Sequence, residues 1–140
     1  MIEGTLLHEP MTRTTLHFAA GLPGFPNAHE FAVTTWGGDE SPFLLMSSVE
    51  DPNIGFVLIS PFVFYPDYEF DLDGATEARL GIGSLDEVLV LCIVTLGDRP
   101  DDATVNLLGP IVVNTRTMEA CQSVLAHSVY DVKAPLSRAS

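Results

Sequence analysis

Turn-forming residues interrupt this chain at short intervals, and β-rich runs fill the spaces between them. Its 140 residues include 11 glycines and 10 prolines. That rhythm points to an antiparallel sandwich or barrel. Residues 11–18 and 31–36 read as strands, with β-branched residues and apolar alternation. Between them, Pro23 followed by Gly24 suits the two central positions of a type II turn, where glycine supplies the positive φ. Gly37-Gly38 can close a two-residue hairpin into a strand over 42–49. Glu50-Asp51-Pro52-Asn53 breaks that strand. The next runs from 55 to 65, and its Pro61 belongs at an edge or bulge.

The second half continues the pattern. Residues 68–72 alternate as a short strand. Residues 75–80 form the best candidate for a short helix, with Gly81 as its stop. Residues 88–96 make a strongly apolar strand and 98–102 a polar loop. Residues 104–114 read as one long strand, bent at Gly109-Pro110. Residues 115–127 fit either a helix or a hairpin turn at 115–119 with a following strand, and periodicity alone does not choose. Residues 133–140 read as a frayed tail. The expectation is a single all-β domain over 1–140, a small antiparallel β-barrel with at most one or two short helices.

Two of these strands are apolar on both faces. In 55–65, Phe56, Leu58, Phe62 and Phe64 fall on one face and Val57, Ile59 and Val63 on the other. In a small β protein the second face must pack under the chain's own loops or meet a partner.

Charge narrows the function classes. Nineteen acidic residues against six basic ones give a formal net charge of −13. Such a surface repels nucleic-acid phosphates and anionic headgroups, and it attracts basic proteins. Direct nucleic-acid and membrane binding are therefore not expected. Met1-Ile2-Glu3 lacks the basic start of a signal peptide, and the apolar run 88–94 is too short to span a bilayer. Cys92 and Cys121 sit in apolar contexts and read as buried thiols of a reducing compartment. The expected location is the cytoplasm.

No catalytic constellation emerges. His8, His17, His29 and His127 are scattered without zinc-site spacing. Gly21-Leu-Pro-Gly24 lacks the ending of a phosphate loop, and no GxSxG elbow is present. Glu50-Asp51 and Asp71-x-Asp73 lack the remaining ligands of a calcium loop and read as solvated turns. No enzyme activity, cofactor, metal or small-molecule substrate is expected.

Several motifs in order resemble the flagellar assembly factor FliW family. They are Gly21-Leu-Pro-Gly-Phe25, Ser41-Pro-Phe43, Met46-Ser-Ser-Val-Glu-Asp-Pro52, Phe56-Val-Leu-Ile-Ser-Pro-Phe62 and Pro66-Asp-Tyr-Glu-Phe70. The most specific are Ile93-Val-Thr-Leu96 and Thr104-Val-Asn-Leu-Leu-Gly-Pro-Ile-Val-Val-Asn114. The similarity covers about residues 15 to 126, with Met46 where the family usually carries glutamine. The resemblance implies a non-catalytic antiparallel β-barrel and a hairpin at 115–125. It also implies that the protein binds flagellin in the cytoplasm and binds and antagonises CsrA, an RNA-binding repressor of translation, away from its RNA surface. Flagellin level would thereby be coupled to flagellin translation. The alternatives are a small-ligand-binding or enzymatic barrel, and a structural flagellar component.

The expected partner contacts are Glu50, Asp51, Pro52, Phe62, Phe64, Tyr65, Asp67 and Tyr68. Aromatic anchors rimmed by acid are what an interaction hot spot is built from. The competing reading for the aromatics is core packing, and for Asn106 and Asn114 it is turn or strand-end hydrogen bonding.

Overall fold

The structure, a computed structural model, describes residues 14–38, 41–99, 102–125 and 128–136. Its strands are β1 (Thr14–His17), β2 (Glu30–Thr35), β3 (Phe43–Ser48), β4 (Gly55–Ile59), β5 (Val88–Thr95), β6 (Thr104–Val105), β7 (Ile111–Asn114), β8 (Glu119–Gln122) and β9 (Ala134–Pro135). The order β4-β3-β2-β1-β8-β7-β5 closes into a barrel because β5 also pairs with β4. Pairing is antiparallel except at the β1–β8 seam, where His17 lies opposite Glu119 in parallel. β6 and β9 extend from the far end of β5 as a short ribbon.

Side-chain alternation sorts the apolar residues into two cores. Leu16, Phe31, Val33, Met46, Leu58, Leu91 and Ile111 fill the barrel interior. The opposite parity of β5, namely Val88, Val90, Cys92 and Val94, faces outward together with Ile59, Val112 and Cys121. That outer face is covered by Tyr68, Phe70, Leu80, Leu107, Ala134 and Leu136. The two-sided apolar strands are thus explained by cover from the chain's own connections.

The cover is held by specific bonds. The Tyr130 hydroxyl both accepts from the Glu69 amide and donates to the Glu69 carbonyl, each at 3.0 Å. The Leu107 amide donates to the Asp131 carbonyl at 3.0 Å, and Leu136 N–H donates to Ala103 at 3.1 Å. The Tyr65 hydroxyl donates to the Pro135 carbonyl. The stretch 128–136 is therefore a strap, not a frayed end: Ala134 and Leu136 are buried and β9 pairs with β6. Residues 137–140 lie outside the described residues, as do 11–13 of the expected first strand.

Local signals explain several elements. The Leu22 and Phe25 backbones bond each other across Pro23-Gly24, and Gly24 has φ 87°, as a type II turn requires. The helix α1 (Gly74–Leu80) starts where Asp73 accepts from the Thr76 amide at 2.7 Å. It ends at Gly81 in the left-handed conformation. Residues 115–118 form the hairpin turn between β7 and β8.

Elsewhere the structure departs from expectation. The strand expected over 55–65 stops at Ile59, because Pro61 has no N–H to give to a ladder and instead opens a 3-10 turn (Pro61–Val63). The strand expected over 104–114 is split into β6 and β7. Asn106 Oδ1 accepts from the Leu108 and Gly109 amides at 3.0 and 2.9 Å and bends the chain between them. Residues 68–72 form no extended strand: Phe70 makes a single β-bridge, and Tyr68 and Phe70 alternate inward. Gly37-Gly38 is not a two-residue hairpin: Trp36 N–H donates to the Phe43 carbonyl, and β3 starts only at Phe43.

Candidate partner-binding surface

The expected contact residues sit at opposite ends of β4. Glu50, Asp51 and Pro52 precede it, and Phe62, Phe64, Tyr65, Asp67 and Tyr68 follow it. Five strand residues separate two such corners by roughly 13 Å or more. The structure therefore gives two acid-rimmed corners instead of one face.

At the first corner, backbone geometry recruits the carboxylates. Glu50 accepts from the Glu30 amide at 3.2 Å and the His29 amide at 3.3 Å, which ties the β3–β4 turn to the start of β2. The Glu30 amide bond comes first among the causes that hold this carboxyl below its usual range. Ser48, buried, donates its hydroxyl to Glu50 and accepts from the Asp51 amide. Asp51 in turn accepts from the Asn53 amide at 3.0 Å, an Asx turn. Pro52 is exposed at the tip.

This corner also holds residues that the sequence reading did not select. Phe25, Pro26, Asn27, Ala28 and Ile54 line a groove of about 310 Å³ beside Glu50 and Asp51. Phe25 is 38% exposed, with its ring edge-on to Phe56 at a centroid distance of 5.7 Å. The available signal was its place directly after the Pro23-Gly24 turn, where a loop tip is expected to be exposed.

At the second corner the aromatics belong chiefly to the outer core. Phe62, Phe64 and Tyr65 are half-buried against it. Tyr68 is 2% exposed and donates to the Leu107 carbonyl, so it anchors the segment from inside. Asp67 is exposed. Nearby, Glu69, Asp71, Asp73, Leu125 and Tyr130 border a second groove of about 400 Å³.

The other residues weighed for chemistry take structural places. Burial first pushes both the Cys92 and Cys121 thiols up, away from the thiolate a nucleophile needs. Asn114, fully buried, donates to the Leu80 carbonyl at 2.8 Å and accepts from the Arg116 amide. Asp73 is a helix cap. Among the described residues, no three His, Cys, Asp or Glu side chains gather as metal ligands. Also among them, no helix is long and apolar enough to cross a membrane. His8 and His127 lie outside the described residues.

Comparison with known proteins gives a consistent result. The family model described as FliW protein matches residues 7–136. The flagellar assembly factor FliW of Bacillus subtilis (strain 168) is 40% identical over 119 residues, covering 85% of this chain and 82% of that protein. Its counterpart in Bacillus licheniformis is 42% identical over 122 residues, covering 87% and 85%. A crystal structure of the flagellar assembly factor FliW superimposes with a TM-score of 0.85 at 35% identity, covering 95% of this chain and 92% of that one.

Proposed function

The chain belongs to the FliW family, and from that premise we propose that it is a non-catalytic flagellar assembly factor of the cytoplasm. In this reading it binds flagellin, and it binds and antagonises the translational repressor CsrA. The family match over most of the chain is the observation that carries the reading. Accumulated flagellin holds the factor and leaves CsrA free to repress flagellin translation. Secretion of flagellin releases the factor to sequester CsrA.

Physical features support a binding role. The barrel interior is filled by Leu16, Phe31, Met46 and Leu58, each 0% exposed, which favours packing over a ligand cavity. The formal charge of −13 suits capture of basic partners and repels the phosphates of an RNA held by one of them. The proposed contact set is Glu50, Asp51 and Pro52 at one corner and Phe62, Phe64, Tyr65 and Asp67 at the other, with Tyr68 supporting the second from within.

The test is a pull-down from the native cytoplasm followed by mass spectrometry. Recovery of flagellin or CsrA is expected. Recovery of neither rejects the reading.

A further inference from the structure

We propose that the groove between the 21–28 loop and the 50–54 turn docks a protein segment bearing a bulky apolar side chain flanked by lysine or arginine. This rests on the partner-binding reading above and gives it a place and a chemistry.

The groove has an apolar body and an anionic rim. Phe25, Pro26, Ala28 and Ile54 supply the first, and Glu50 and Asp51 the second. Its volume of about 310 Å³ is at the low end for small-ligand clefts and gives room for a bulky side chain or two. No lysine or arginine lines it. Glu50 is held in its ionised form by backbone amides, so the negative rim persists well below neutral pH.

The walls are fixed before any partner arrives. Leu22 and Phe25 exchange backbone hydrogen bonds at 3.2 and 2.8 Å, and Ala28 N–H donates to Phe25 at 3.1 Å. Gly21, at φ 68°, lets the loop fold on itself: a Cβ there would lie 2.7 Å from the Phe25 and Pro26 carbonyl oxygens. The Glu50 carboxylate bonds the His29 and Glu30 amides, joining one wall to the other. Phe25 is thus presented to solvent on a rigid support, which lowers the ordering cost of binding.

Charge selects the occupant. A second copy of the chain would bring another surface of formal charge −13, and a nucleic acid would bring phosphates. A basic segment gains attraction at the rim, while its apolar side chain covers Phe25 and Ile54.

The test is an amide NMR titration of the full chain with three short synthetic peptides. One carries a leucine flanked by lysines, one replaces that leucine with serine, and one replaces the lysines with glutamates. Saturable shifts at Gly24, Phe25, Asn27 and Ile54 are expected with the first alone. Asn27→Lys, at an exposed position, should keep the wild-type fold and weaken that binding by about tenfold or more through like-charge repulsion. Asp51→Asn retains an acceptor for the Asn53 amide and should weaken it severalfold. Equal binding of the serine peptide, shifts mapping elsewhere, no shifts at millimolar peptide, or unchanged affinity in Asn27→Lys overturns the proposal. A parallel capture assay with purified flagellin and CsrA separates the two readings. If wild type captures either partner and Asn27→Lys captures it equally well, the groove is rejected while partner binding stands. If wild type captures neither, partner binding is rejected, and the peptide titration decides the groove by itself.

Discussion

The Tyr68 hydroxyl donates to the Leu107 carbonyl across 2.7 Å, joining the segment after β4 to the loop between β6 and β7. Both residues are buried, and the ring stacks edge-on against Tyr130 at 4.6 Å. Tyr68→Phe keeps the ring but leaves a buried carbonyl without its donor. The expected cost is about 1–3 kcal/mol. A urea midpoint measured beside wild type checks it, with flagellin capture unchanged when both proteins are folded. Lost capture at unchanged stability would instead make Tyr68 a contact residue.

Asp73 caps α1 through two oxygens, one on the Thr76 amide at 2.7 Å and one on the Thr76 hydroxyl at 3.1 Å. The helix carries Leu80 into the outer core. Asp73→Ala should destabilise the fold by about 1 kcal/mol, and Asp73→Asn should restore most of it, since asparagine caps nearly as well. Thermal denaturation of the three proteins reads this directly. Equal loss in both variants would assign the effect to charge and not to the cap.

What the sequence revealed depended on how local the deciding interaction is. Pro23-Gly24, Asp73 and Gly81 act within a few residues, so the turn, the helix start and its stop were legible. The strand over 55–65 was read too long because Phe62 and Phe64 favour strands, while the missing N–H of Pro61 decided the outcome. Tyr68 beside Asp67 looked like a surface anchor. Its burial depends on Leu107, 39 residues away, which no local pattern reports. The groove was hidden for the same reason. Phe25 and Ile54 meet only because β1, β2 and β3 pair in a register that sets Glu50 against the His29 and Glu30 amides.

Glu50, Asp73 and Glu87 all have carboxyl pKa values lowered in the fold, led by bonds from the Glu30, Thr76 and Gly83 amides respectively. A depressed carboxyl contributes stability that is fully present above its unfolded value and is lost as pH falls through its folded value. For Glu50 the reference is 4.5, so its contribution should hold above that pH and fade below it. Glu50→Gln cannot ionise. Its stability deficit relative to wild type should therefore be constant at neutral pH and shrink as the solution is acidified. Chemical denaturation of both proteins across this range gives the difference. A deficit independent of pH would show that shape, and not charge, holds the corner.

The excess of acid predicts how the proposed antagonism of CsrA responds to salt. If the protein weakens RNA binding by holding negative charge near the RNA, the repulsion acts through solvent over several ångströms. Its range should shrink as the Debye length falls from about 10 Å at 0.1 M to about 3 Å at 1 M. Apolar docking is far less sensitive to salt. Raising ionic strength should therefore reduce the effect on RNA affinity more than it reduces formation of the protein complex. RNA binding by CsrA also weakens in salt, so the comparison is the ratio of RNA affinities with and without saturating factor. That ratio should move toward unity as salt rises. A ratio that stays constant while the complex remains intact would exclude electrostatic repulsion and leave a shape change in CsrA as the route.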